Sequence, residues 1–208
     1  MAPQSKFVMA ALAVVAAAGI AGALIGQHRA APVALATGTY LSRGRALPEF
    51  SLIDEHGRSF GSRDLKGSWS VMFFGYTNCP DFCPATLSTL AALEKRMRAA
   101  QAPVLPRVIF ISVDAKRDTP EQLAKYVPYF DPAFIGLTAA SQPAIEAVAA
   151  KLGASVTITP EPGGNYTVDH TAALFVLDPD GRLTAILTGP FTVKDLQRDF
   201  ERIVAARS

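Results

Sequence analysis

The chain has 208 residues, half of them apolar, and a formal net charge of +2 at pH 7. That length accommodates one domain with a proper core plus an appendage. So small and scattered a charge excludes a nucleic-acid footprint.

Residues 1–6 form a short tip. From Phe7 to Ile25 the chain carries no charge, over about the length that crosses the ~30 Å hydrocarbon of a bilayer. One N-terminal transmembrane helix is therefore expected at 7–25. A cleaved signal segment competes with it, with Ala34-Leu35-Ala36 as the small-residue site, although signal cores are shorter, about 7–15 residues. Lys6 precedes the apolar run while Arg29, Arg43 and Arg45 follow it, and charge counting alone would leave the domain in the cytoplasm. A short basic start followed by one apolar segment is the export arrangement, so the expected location is the cytoplasmic membrane, single-pass, with the domain facing the periplasm or an equivalent space. Residues 26–44 are small and polar with little periodicity and read as a linker. The folded domain is expected over 45–208.

Phe50 to Ile53 and Arg58 to Phe60, with a turn at His56-Gly57, predict an N-terminal β-hairpin. Ser70 to Phe74 is a buried strand by its continuous apolar run. Leu87, Leu90, Leu93 and Met97 then recur at helical spacing, bounded by Pro103 and Pro106. Arg107 to Val113 is a second buried strand. Thr119 as N-cap, Pro120 at the first helical position and Gln122 placed for a capping box start a helix that runs to about Phe130. Phe134 to Leu137 reads as a short strand and Gln142 to Leu152 as a helix. Thr159 to Asn165, rich in Gly and Pro, reads as a loop. Ala172 to Leu177 and Leu183 to Leu187 are strands joined by a tight turn at Asp178-Pro179-Asp180-Gly181. A closing amphipathic helix carries Leu196, Phe200, Ile203 and Val204. Two strand–helix–strand crossovers, then a hairpin and a helix, give an α/β fold whose mixed sheet is flanked by helices. That order is thioredoxin-like.

The only two cysteines, Cys79 and Cys83, fall between the first buried strand and its helix. The first N–H groups of a helix lack partners and favour negative charge, which stabilises thiolate, the form that attacks disulfides and binds metals. Spacing of four on a helical turn brings Cβ atoms within about 5–6 Å. That permits a disulfide, which needs Cα atoms ~4.4–6.8 Å apart, and equally a metal bridging sulfurs up to about 4.6 Å apart. A structural disulfide would close a loop so short that it removes little unfolded-state entropy.

Of three histidines, His28 follows the apolar run and His56 sits in a presumed turn, and both read as solvated. His170, in Val168-Asp169-His170-Thr171, directly precedes a buried strand. In a thioredoxin-like fold the loop entering that strand lies beside the cysteine turn. A thioredoxin carries Thr-Pro there, with the proline in cis, whereas this chain has no proline between Val168 and Leu177. A satisfied loop histidine and a ligand both fit the pattern. Asp169 is a candidate to orient the ring. Two thiolates and one imidazole make a three-donor set whose softness suits Cu(I), with Cu(II) and an added oxygen ligand, or zinc with a water, as alternatives.

Phe74-Gly75-Tyr76-Thr77 before Cys79-Pro80-Asp81-Phe82-Cys83-Pro84, Ile111-Ser112-Val113-Asp114 with Arg117-Asp118-Thr119-Pro120, Gly136-Leu137-Thr138, and Tyr166-Thr167-Val168-Asp169-His170-Thr171 before Asp178-Pro179 resemble the SCO/SenC family of copper-binding, thioredoxin-like proteins. The resemblance covers about residues 45–208. It implies copper held by Cys79, Cys83 and His170. It also implies a membrane-tethered chaperone serving the copper centre of cytochrome c oxidase subunit II. Asn78, where many relatives have His, and Ala115, where Pro is common, depart from the pattern without touching those positions. Because an oxidising compartment drives such a pair to a disulfide, a periplasmic thiol reductase is a further expected partner. The competing class is a tethered thiol–disulfide oxidoreductase in which Cys79 attacks and Cys83 resolves. A peroxidase is disfavoured, because it would want Pro and Thr ahead of a single attacking cysteine, and Phe73 to Asn78 stand there instead without proline. Asp114 is a candidate beside the site, and Arg117 and Asp118 a candidate local pair.

Overall fold

In a computed structural model of the chain, the described residues are 33–207. The expected membrane segment at 7–25 lies outside them. Among the described residues no helix is long and apolar enough to cross a membrane.

Strands β1 (Gly38–Ala46), β2 (Ser51–Asp54), β3 (Ser59–Gly61), β4 (Ser70–Gly75), β5 (Arg107–Ser112), β6 (Ile135–Thr138), β9 (Ala173–Leu177) and β10 (Arg182–Thr188) form one sheet. Its order is β1-β10-β9-β4-β5-β6-β2-β3. β7 (Val156–Pro160) and β8 (Tyr166–His170) pair only with each other in a separate two-stranded ribbon. Helices α1 (Phe82–Ala99), α2 (Pro120–Tyr126), α3 (Gln142–Leu152) and α4 (Val193–Arg207) complete the described elements, with short 3₁₀ turns between them. β4, β5 and β6 run parallel through α1 and α2, and the remaining pairs are antiparallel. This is the expected thioredoxin-like mixed sheet, hairpin included.

Strand alternation divides the core into two layers. Met72 and Phe74 of β4 face one side with Ile109, Ile111, Phe175 and Leu152 of α3. Val71 and Phe73 face the other, against Leu87, Leu90 and Leu93 of α1 and Leu196, Phe200 and Ile203 of α4. A strand buried on both faces reads as an unbroken apolar run, which is why β4 and β5 were legible.

Three expectations are corrected. Part of the presumed linker is β1, an edge strand paired to β10 from Gly38 to Ala46 with a bulge between Tyr40 and Arg45. Gly44 sits in that bulge at φ 54°, a left-handed conformation that glycine adopts without strain. The carboxylate of Asp199 on α4, fully buried, ties the start of this edge by accepting from Ala36 N at 2.9 Å, Thr37 N at 2.8 Å and Thr37 Oγ1 at 2.7 Å. The Gly/Pro loop at 159–165 is only the tip of the β7–β8 ribbon. The helix begun by Thr119 tightens to a 3₁₀ turn at Val127–Tyr129, where Pro128 offers no N–H.

Candidate metal centre

β4 ends at Gly75, at the carboxyl edge of the parallel strands, where open α/β sheets place their ligands. A Cβ at Gly75 would meet Phe110 Cε2 at 2.6 Å, Cys83 Sγ at 3.0 Å and Phe73 Cε1 at 3.1 Å. The glycine leaves the volume that the inner sulfur occupies.

Cys83 lies in the first turn of α1 and is fully buried. Cys79 precedes the helix, half-buried, and its sulfur accepts the Cys83 N–H at 3.4 Å. Both thiols are free. Burial raises the Cys79 thiol, but hydrogen bonds from the Cys83 N–H and thiol and from the N–H groups of Asp81 and Phe82 outweigh it, leaving the group below its ordinary value. Burial pushes the Cys83 thiol well up, against the Tyr76 backbone hydrogen bond and with the neighbouring Cys79 adding to the rise. Of the two thiols, Cys79 gives up its proton more readily than its buried neighbour.

His170 ends β8 and turns inward. Its Nε2 stands 3.7 Å from Cys83 Sγ, across 87 residues of chain. Its Nδ1 faces the Thr171 carbonyl at 3.2 Å. A carbonyl only accepts, so Nδ1 carries the proton and Nε2 presents its lone pair to the sulfur. Asp169, expected to orient the ring, is exposed and contributes only at a distance, so the backbone carbonyl does that work. Burial holds His170 below its ordinary value, opposed by the Thr171 carbonyl and Asp169. Phe73, Tyr76 and Phe82 surround the imidazole with ring centroids at 6.3, 5.9 and 6.5 Å. His56, by contrast, is 60 % exposed in its turn beside Glu55, as expected of a solvated residue.

A metal bonded at about 2.3 Å to sulfur and 2.0 Å to nitrogen spans up to ~4.3 Å, so the 3.7 Å separation of Cys83 and His170 passes that test. Cys79 is turned toward the helix N–H. In keeping with this, no group of three Cys, His, Asp or Glu side chains among the described residues is already gathered as a metal cage.

Two carboxylates brace the site: Asp114, expected beside it, and Asp118, expected only as a local partner of Arg117. Asp118, fully buried, accepts from Thr77 N at 2.9 Å, Thr77 Oγ1 at 2.6 Å and Ser112 Oγ at 2.6 Å, which fixes the turn two residues before Cys79. Arg117 pairs not with Asp118 but with the buried Asp114, which also accepts from Tyr166 Oη at 2.7 Å. For Asp114 the signal was its place at the end of a buried strand, whereas nothing in the sequence tied Asp118 to Thr77.

Fold and site together define a thioredoxin-like domain whose dithiol turn is faced by an imidazole from a separate ribbon. The SCO1/SenC family model matches residues 39–205, and the chain belongs to that family. It is 36% identical over 164 residues to a putative copper-binding protein of Stutzerimonas stutzeri, covering 79% of each chain. Matches to SCO2-like relatives span 65% or less of those relatives' own length. Among solved structures, Arabidopsis thaliana ScoI with copper bound superposes with a TM-score of 0.72 at 32% identity, covering 76% of this chain and 98% of that one. Bradyrhizobium japonicum ScoI with copper bound gives 0.66 at 34% identity, covering 76% and 99%.

Proposed function

We propose that this protein is a copper chaperone of the cytochrome c oxidase assembly type, taking copper on Cys79, Cys83 and His170 and passing it to the copper centre of subunit II. The approach of Cys83 Sγ to His170 Nε2 at 3.7 Å carries the reading. A buried sulfur and a correctly protonated imidazole from distant parts of the chain meet there, and two thiolates with one imidazole form a soft, low-coordinate set suited to Cu(I). Relatives whose names or structures carry copper support the choice of metal. Rotation of the half-buried Cys79 side chain completes the shell and also opens it to an incoming thiolate on the recipient. In this reading the N-terminal apolar segment tethers the domain to the cytoplasmic membrane on its outer side, where a separate thiol reductase keeps the pair reduced.

Anaerobic Cu(I) titration of the full chain with X-ray absorption tests the assignment. About one copper per chain with sulfur and nitrogen neighbours is expected. Cys83→Ala abolishes binding. His170→Ala weakens it by at least the roughly 10–100-fold that losing an outer partner of a metal ligand costs. Full affinity in Cys83→Ala overturns the assignment. Mixed disulfides trapped by Cys83→Ser, with no copper bound by the unaltered chain, would transfer the same pair to thiol–disulfide exchange.

A further inference from the structure

The β7–β8 ribbon poses a physical problem. An isolated two-stranded hairpin is marginal in water, yet this one must hold His170 against the sulfurs. Val168 is its single buried side chain, with Val156, Ile158 and Tyr166 packed partly against the core. Its base is closed by Thr171 N donating to Ser155 O at 3.1 Å. Ser155 N also donates to Thr171 Oγ1 at 2.8 Å, and His170 packs on Phe73 and Phe82, while the loop after β5 adds a further set of contacts.

In that loop the guanidinium of Arg117 lies over the Tyr166 ring with its carbon 3.9 Å from the centroid, and over the Tyr76 ring at 5.9 Å. Lys116 adds a weaker contact to Tyr166 at 5.7 Å. Arg117 Nε and Tyr166 Oη both bond the Asp114 carboxylate, itself fully buried and placed by Ser112 Oγ at 3.0 Å from its N–H. Tyr166 sits four residues before His170 on β8, while Tyr76 belongs to the cysteine turn and packs on the His170 ring. At the other end of the same loop, Asp118 holds Thr77. One short loop therefore grips both halves of the site, with a carboxylate at each end.

We propose that Arg117, paired with Asp114 and stacked on Tyr166, is a positioning residue that docks the ribbon so that His170 faces the sulfurs. The loop Asp114–Asp118 thereby sets the spacing between the two halves of the centre. Cation–π stacking and a hydrogen bond to a charged group are each worth enough to hold a marginal ribbon, and neither is so strong that it forbids release. The metal-affinity consequence rests on the copper reading above, whereas the docking itself does not.

The experiment uses the full chain with Tyr166→Phe, which removes only the hydroxyl, and Arg117→Gln. In metal-free, reduced protein, hydrogen exchange at 156–170 should quicken about tenfold or more in each variant, the size of one lost hydrogen bond to a charged group, while α1 exchanges as before. Copper affinity should fall severalfold in both. The same substitution in a His170→Ala background should change affinity less than twofold, since the effect passes through that ring. Unchanged ribbon exchange in both variants, or an equal affinity loss without His170, overturns the proposal. A chain that binds no copper yet shows faster ribbon exchange would sink the chaperone reading and leave the docking role standing.

Discussion

The two halves of the centre are built differently. The cysteine turn grows out of β4, the strand with β9 and β5 on either side, and its inner sulfur sits in space left by Gly75 among Phe73 and Phe110. The histidine rides on a ribbon outside the main sheet, with one buried side chain and a polar dock. Stability is not uniform across a fold, and elements with few buried apolar contacts open first. The contrast implies that the sulfur half is the more firmly built and the imidazole half the easier to detach, which is what the proposed copper carrier would need.

The largest test strikes the fixed half. Gly75→Ala should cost about 1–3 kcal/mol by overpacking, read as a lower urea midpoint, and a neutral result would show the sulfur is not tightly housed. Asp118→Asn should cost roughly 1–2 kcal/mol by weakening the hold on Thr77 and Ser112. Burial raises the Asp118 carboxyl above the ordinary range, with Ser112 and Thr77 only partly offsetting it. A raised folded value means the native state binds the proton more tightly than the unfolded chain. That contribution is full below about pH 4 and lost as pH rises through the folded value. The unaltered protein should therefore lose stability relative to Asp118→Asn as pH climbs from 4, and parallel urea midpoints across pH 4 to 7 would remove the titrating carboxylate from the account.

Val168→Ala strikes the detachable half. It should lower the global midpoint by about 1 kcal/mol or less while limited proteolysis cuts the ribbon faster than α1. A global loss matching that of Gly75→Ala would erase the distinction between the halves. The smallest disturbance is chemical labelling of the native, reduced protein. Iodoacetamide should modify Cys79 at least about tenfold faster than the buried Cys83, with a midpoint below the ordinary thiol value, and equal rates would mean the turn opens as a whole.

The central strands, α1, the Thr119 cap and the sulfur pair were readable because each rests on local pattern: an apolar run, a helical period, an N-cap whose Oγ1 accepts from Gln122 N at 3.3 Å. His170 was readable because the fold order places its segment beside the turn. β1 was not, since an edge strand with alternating small and polar residues lacks an apolar stripe. β7 and β8 were masked by Pro160, Pro162, Gly163 and Gly164, which mark the ribbon's tip but not its flanks. The bonds from Asp118 to Thr77 and from Tyr166 to Asp114 join residues 41 and 52 positions apart, and no local rule reports such pairs.

The carboxylate of Asp199 at the start of β1 has a mechanical consequence. Tension applied to the chain at Ala36 is met by that side chain and by the β1–β10 ladder, loaded in shear. Two further strands, β10 and β9, stand between this edge and β4. A tug on the leading segment is thus absorbed at the rim, and the sulfurs are spared the strain.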